Sequence, residues 1–233
     1  MRPDAVHAVI AVKNLERAKS RLAGELPPAD RSRLVLAMLS DTVTAALAAG
    51  IGSVTVVTPD PGVVAAVHAL GCVAHPDPAA GTDLLNAALA DAAAAVRRRY
   101  GAVDLLALQA DLPALRPDEL ADALATAPAT GRTLLADHTG QGTAALLVRD
   151  DAAPLAPLFG PDSARRHVDA GAKDLEGDWP GLRLDVDTAA DLHAAVRLGV
   201  GPATTALLRD IGWPRPVHSE LTRRCGTGHM CAQ

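Results

Sequence analysis

Residues 105–113 read Leu-Leu-Ala-Leu-Gln-Ala-Asp-Leu-Pro, an apolar run that delivers one carboxylate and then stops at a proline. A run without polar alternation suits a strand buried on both faces, as in a parallel sheet covered by helices. Asp111 then stands where such a strand leaves the sheet. Open α/β sheets bind ligands at that edge, and a carboxylate there can hold a metal ion against a phosphate. Asp111 could equally cap the helix that Pro113 to Glu119 announce, and the residues leave both readings open.

The rest of the chain alternates in the same manner. Strands are expected at His7–Val12, Ser53–Val57, Gly71–Ala74, Arg132–Ala136, Thr143–Val148 and Leu182–Val186. Helices are expected at Arg31–Ala48, Val63–Leu70, Leu84–Arg99, Pro117–Ala125, Ser163–Ala170 and Ala189–Leu198. This pattern predicts a single α/β domain whose mainly parallel, mixed sheet is flanked by helices. Gly140 and Gly142 supply turn freedom for a hairpin around residues 137–142. The domain is expected to span residues 1–210, with 211–233 a flexible extension whose Cys225, His229 and Cys231 lack paired zinc-ligand spacing.

Composition narrows the classes. Aromatics make up 2% of the 233 residues, so stacking platforms for single-stranded nucleic acid are nearly absent, and a net charge of −5 disfavours a polyanionic partner. No apolar run is long enough to cross a bilayer, and the three cysteines form no compact disulfide framework. The expectation is a cytoplasmic protein that contacts neither membrane nor nucleic acid.

Three further segments carry chemistry. Only three of the 22 basic residues are lysines, and two of them, Lys13 and Lys19, fall in one loop after the first strand together with Arg21. A compact ammonium suits contact with several phosphate oxygens, although a solvated basic turn would have the same composition. No glycine occurs between Val12 and Leu22, so a dinucleotide fingerprint or P-loop is absent and side chains must hold any phosphate. Asp185 and Asp187 lie two apart. On a strand they would share a face and, beside Asp111, could bind Mg²⁺; alternatively Asp187 or Thr188 caps the next helix. Thr143 and the string Phe159-Gly160-Pro161-Asp162-Ser163 suggest either an anion site at a helix start or a well-capped helix.

Six strings occur in a telling order: Val12-Lys13 with Ala18-Lys19-Ser20-Arg21-Leu22, the Leu34–Asp41 helix, Gln109-Ala110-Asp111-Leu112-Pro113, Gly142-Thr143-Ala144, Phe159–Ser163, and Asp185-Val186-Asp187-Thr188 with Asp191-Leu192. Together they resemble the guanylyltransferases of coenzyme F420 biosynthesis, which act on phosphoenolpyruvate or 2-phospho-L-lactate. The resemblance runs from about Val6 to Leu208. It implies a Rossmann-like fold of the nucleotide-diphospho-sugar transferase type, Mg²⁺ held by Asp111, Asp185 and Asp187, and a phosphorylated three-carbon acid held by Thr143, Gly160 and Ser163.

The expected chemistry is attack by the acceptor's phosphate on the α-phosphorus of GTP, with Lys13, Lys19, Arg21 and Asp111 as the catalytic set and Lys13 and Lys19 also on the nucleotide. Gly81, Thr82 and Asn86 are candidates for contacting base or ribose, although Asn86 would also suit a helix first turn. A phosphate monoester is already anionic near neutrality, so no general base is required, and none of the eight histidines stands out. The product would pass to a downstream transferase. A molybdenum-cofactor-type or other small-molecule nucleotidyltransferase would share the carboxylates but usually carries a glycine-rich first loop. A non-catalytic nucleotide-binding module follows if the carboxylates do not converge.

Overall fold

The computed structural model describes residues 6–13, 15, 19–77, 84–150 and 153–214. One sheet contains β1 (Val6–Ala11), β2 (Ser53–Val57), β3 (Val73–His75), β4 (Asp104–Leu108), β5 (Gly131–Ala136), β6 (Thr143–Arg149) and β7 (Lys173–Asp174), in spatial order β3-β2-β1-β4-β6-β5-β7. Strands β1 to β4 are parallel. β6 runs antiparallel to both β4 and β5, and β7 pairs with β5 in parallel.

The apolar strands bury both faces by strict alternation. Ala8 and Ile10 of β1 and Leu106 and Leu108 of β4 enter one core, while Val9, Leu105 and Ala107 enter the other. The first core lies under α1 (Pro28–Ala48), α2 (Pro61–Ala69), α4 (Pro117–Thr126), α7 (Ala189–Leu198) and α8 (Pro202–Asp210). The second lies under α3 (Leu84–Tyr100) and α5 (Ser163–Asp169). With few aromatics, α3 packs through Ala88, Leu89, Ala92, Ala93 and Val96, small side chains that let the helix approach the sheet closely.

Several elements were not expected from the sequence, among them the shortest strand and the last helix. β7 is two residues long, and α8 starts on Gly201-Pro202 and docks on α1. Asp41 of α1 accepts from the amides of Ala203 and Thr204 at 2.9 and 2.8 Å, satisfying the exposed donors at the start of α8. The packed unit continues past residue 210, because Trp213 is buried in the first core against His193.

One expected strand is absent. Residues 182–186 do not join the sheet: the chain makes the short helix α6 (Pro180–Arg183) and then a stretch outside any strand. The alternation that suggested a strand is real, since Leu182, Leu184 and Val186 are all buried. Pro180 starts a helical turn instead, and the Glu119 carboxylate takes the amides of Gly181 and Leu182, so these donors go to a side chain rather than to a ladder.

Candidate active site

The carboxyl end of β4 is fixed from below by α1. Thr42 Oγ1 donates to the Ala110 carbonyl and accepts the Leu112 amide at 3.1 Å, bracketing Asp111 on both sides. The amide of Val186 donates to the Asp111 carbonyl at 3.1 Å. That single bond brings residues 185–187 beside Asp111 without a strand. Asp111 caps no helix, since α4 begins later at Pro117.

Opposite these acids stands Lys19. Its backbone is left-handed (φ 51°), a conformation that costs a non-glycine residue about 1 kcal/mol, and its ammonium bridges Asp111 Oδ2 and Asp187 Oδ1, the latter at 2.8 Å. Burial alone would lower the ammonium's pKa, but Asp111 and Asp187 more than offset this and raise it. Arg21 is exposed and lies 3.7 Å from Asp187 Oδ2. For Asp187 burial pushes the pKa up, but Lys19, then Arg21 and His138, prevail and lower it. Lys13 is exposed just beyond β1.

Asp185 has the opposite balance. Burial, then repulsion from Asp111, Asp137 and Asp187, pushes its pKa up to about 6. His138 sits between it and Asp191, with Nδ1 3.4 Å from Asp185 Oδ1 and Nε2 3.5 Å from Asp191 Oδ1. Asp185 Oδ1 nevertheless has no hydrogen bond of acceptable geometry, nor does the buried Oδ1 of Asp111. Buried carboxylate oxygens left without partners, in a pocket of mutually repelling acids, are the donor chemistry of a hard divalent cation, and the residues present fit one. Among the described residues no three acidic, histidine or cysteine groups already form a metal cage, and Lys19 supplies the positive charge between Asp111 and Asp187.

Arg21, His138, Asp185, Asp187 and Asp191 line a cleft of about 650 Å³, bordered also by Gln109, Asp137, Thr143, Gly160 and Ser163, and Lys19 with its partner Asp111 meets this wall through Asp187. The hairpin between β5 and β6 shapes one wall. Asp137 accepts from the Gly142 and Thr139 amides, and a Cβ at Gly142 would collide with its carboxylate, so close approach dictates this glycine while turn conformation dictates Gly140 (φ 73°). Thr143 and Ser163 meet at the floor, Ser163 Oγ donating to Thr143 Oγ1 at 3.0 Å, both nearly inaccessible. Ser163 therefore does not cap α5. The helix follows Asp162, and its Ala164 amide already donates to the Gln141 carbonyl. Gly160, at φ 125°, supplies the turn before it.

Asn86 does not reach the cleft as a free amide. Its Nδ2 donates to the Phe159 carbonyl at 3.0 Å and its Oδ1 accepts the Phe159 amide at 2.8 Å, so it holds the loop that leads to Gly160 and Ser163. Gly81 and Thr82 lie outside the described residues. Sequence reasoning missed Thr42, Asp137, His138 and His167. Their types are unremarkable in isolation, and only the turn signal at residues 137–142 pointed near any of them.

With this geometry in view, the relatives are informative. A family model described as guanylyl transferase CofC like matches residues 6–224. The chain belongs to this guanylyltransferase family. A protein of Nocardia farcinica named phosphoenolpyruvate guanylyltransferase is 66% identical over 97% of this chain and 100% of its own length. A Rhodococcus erythropolis protein of the same name is 52% identical over 87% and 95%. Among solved structures, a nucleotide-diphospho-sugar transferase from Desulfovibrio desulfuricans G20 has TM-score 0.69 at 18% identity, covering 91% of this chain and 96% of that one. Rv0371c of Mycobacterium tuberculosis H37Rv in complex with manganese has TM-score 0.50 at 21% identity, covering 83% and 98%. These two structures establish the fold expected from the resemblance, and the family membership makes the chain a nucleotidyltransferase rather than a passive binding module.

Proposed function

We propose that this enzyme transfers GMP from GTP to the phosphate of phosphoenolpyruvate, releasing pyrophosphate, as a step of coenzyme F420 biosynthesis. The relative 66% identical over its whole length carries that name. The observation that carries the reading in the structure is the meeting of Lys19, Asp111 and Asp187 at the carboxyl edge of the sheet.

A phosphate oxygen of the acceptor attacks the α-phosphorus in line, the bond to pyrophosphate breaks, and a diphosphate bridge remains. The enzyme's task is to bring two crowded anions together. Lys13, Lys19 and Arg21 offset their charge from one side. Asp111, Asp185 and Asp187 would hold a divalent cation, Mg²⁺ in the cell, which when bound supplies Lewis-acid neutralisation of phosphate charge. Thr143, Gly160 and Ser163 hold the three-carbon acid, and Gly81 and Thr82 contact the nucleotide. Asn86 contributes to the same cleft through the loop it holds.

No general base is needed, and the histidines near the cleft suit that. His138 is held between two carboxylates, and His167 is buried and neutral. The product, an activated diester of a reactive enol acid, suits hand-over to a transferase that consumes it. Incubation with Mg²⁺, GTP and each of phosphoenolpyruvate, 2-phospho-L-lactate and 3-phosphoglycerate, following pyrophosphate, tests the proposal. Release with phosphoenolpyruvate and GTP above all other pairs is expected, and release independent of any acceptor would overturn it.

A further inference from the structure

The geometry points to His167 as a positioning residue that keeps a hydroxyl proton of the Thr143–Ser163 pair available for the anionic acceptor. The inference rests on the acceptor site proposed above and adds to it a residue that touches no substrate.

His167 is fully buried on α5, between the loop at residues 155–160 and β6. The backbone amide of Leu158 donates to its Nε2 at 2.9 Å. An amide N–H can only donate, so Nε2 carries no proton, and a neutral ring must be protonated on Nδ1. Neutrality follows from the surroundings: burial lowers the ring's pKa to about 4, a backbone hydrogen bond at Ser163 opposes this, and the charges of Arg132 and Arg166 add to it.

Nδ1 faces Thr143 Oγ1 at 3.1 Å, and Ser163 Oγ lies 3.0 Å from the same oxygen. Two hydroxyls possess two protons, and one is used between them. If Nδ1 were unprotonated it would accept the second, and the pair would offer the cleft only lone pairs. Because Nδ1 carries the proton, the ring cannot take one, and one hydroxyl hydrogen remains for a ligand in the cleft that both residues line. For a phosphate or carboxylate this decides between a hydrogen bond and lone-pair repulsion. Leu158, one residue before the loop segment held by Asn86, thereby sets the proton inventory of a site it does not enter.

The test is a double-mutant cycle on the full chain with Thr143→Val and His167→Gln. The Gln carbonyl can still accept from Leu158 but places no donor at the Nδ1 position. His167→Asn, whose amide can donate near that position, is the conservative variant, and thermal melts first show which variants fold. The expected result is a KM for phosphoenolpyruvate raised roughly 10-fold in His167→Gln, with the KM for GTP unchanged. Recovery in His167→Asn and no added effect in the Thr143→Val background complete the expectation. Effects of His167→Gln and Thr143→Val that multiply would overturn the inference while leaving the acceptor site standing. A Thr143→Val enzyme with wild-type KM for phosphoenolpyruvate would remove the acceptor site and the inference with it. Should His167→Gln not fold, His167→Asn carries the cycle: a KM shift that multiplies with that of Thr143→Val overturns the inference, and wild-type KM supports it.

Discussion

The ammonium of Lys19 and the carboxylate of Asp111 are in direct contact across a sequence separation of 92 residues, and the same ammonium reaches Asp187, 168 residues away. One cation therefore ties the loop after β1 to the ends of two other segments. The arrangement balances charge behind the wall of the cleft that Asp187 forms, and any ligand that reaches Asp187 must either keep or replace it.

Removing either partner should disable the enzyme for different reasons. Lys19→Met leaves two carboxylates uncompensated, and Asp111→Asn removes an oxygen proposed to bind the cation. Each should lower GTP- and acceptor-dependent pyrophosphate release by about 100-fold or more, the scale of losing one preorganised charge in a transfer site. Wild-type turnover in Asp111→Asn would refute its assignment.

Asp185→Asn should stabilise the protein in the absence of metal while abolishing its response to metal. The carboxyl is buried and repelled by Asp111, Asp137 and Asp187, so at pH 7.5 a neutral isostere relieves strain of order 1 kcal/mol, or about 2–4 °C in Tm. Melting curves with and without Mn²⁺ or Mg²⁺ check both halves of the expectation.

Stability at acid pH should reflect two opposing groups. An unfolded histidine titrates near 6.5 but His167 only at about 4, so between those values the unfolded chain binds the extra proton and stability falls as pH falls. Asp185 titrates at about 6 when folded and at 3.8 as a free carboxylate, so over its window the folded chain binds the proton and stability rises as pH falls. Urea midpoints between pH 6 and 4 should therefore drop more steeply in Asp185→Asn than in the parent chain.

Asn86→Ala should cost about 1–3 kcal/mol, because both ends of the buried amide hold the Phe159 backbone and the truncation leaves those groups unsatisfied. The KM for the acceptor should rise more than that for GTP, since the loop leads to Gly160 and Ser163, the residues proposed to hold the acceptor. Urea unfolding and initial rates against each substrate separate the two effects.

A chain ending after Asp210 should have a lower Tm than one ending after Pro214. The difference is Trp213, whose buried ring closes the first core, and removal of a buried Trp typically costs about 3–5 kcal/mol. Differential scanning calorimetry of the two truncations is the measurement.

Local chemistry made much of this legible in advance. The β4 run and its terminal Asp111, the hairpin at residues 137–142, and Lys19 in an arginine-rich chain each carry their meaning in residue type and spacing. Where the reading failed, it met groups whose backbone partners are distant in sequence. Leu182, Leu184 and Val186 alternate as a strand would, but Glu119 captures the amides on which a ladder would depend.

Sequence by itself determined the layered α/β architecture, because continuous apolar strands can be buried only between helices, and it supplied the acids of the cleft and the lysine that meets them. Only the tertiary structure decided which of those charges meet, which carboxylate oxygens are left without partners, and which nitrogen of His167 bears its proton. Each of these depends on a donor or an opposing charge brought close by the fold, and at distances of about 3 Å a small displacement turns attraction into an unsatisfied group.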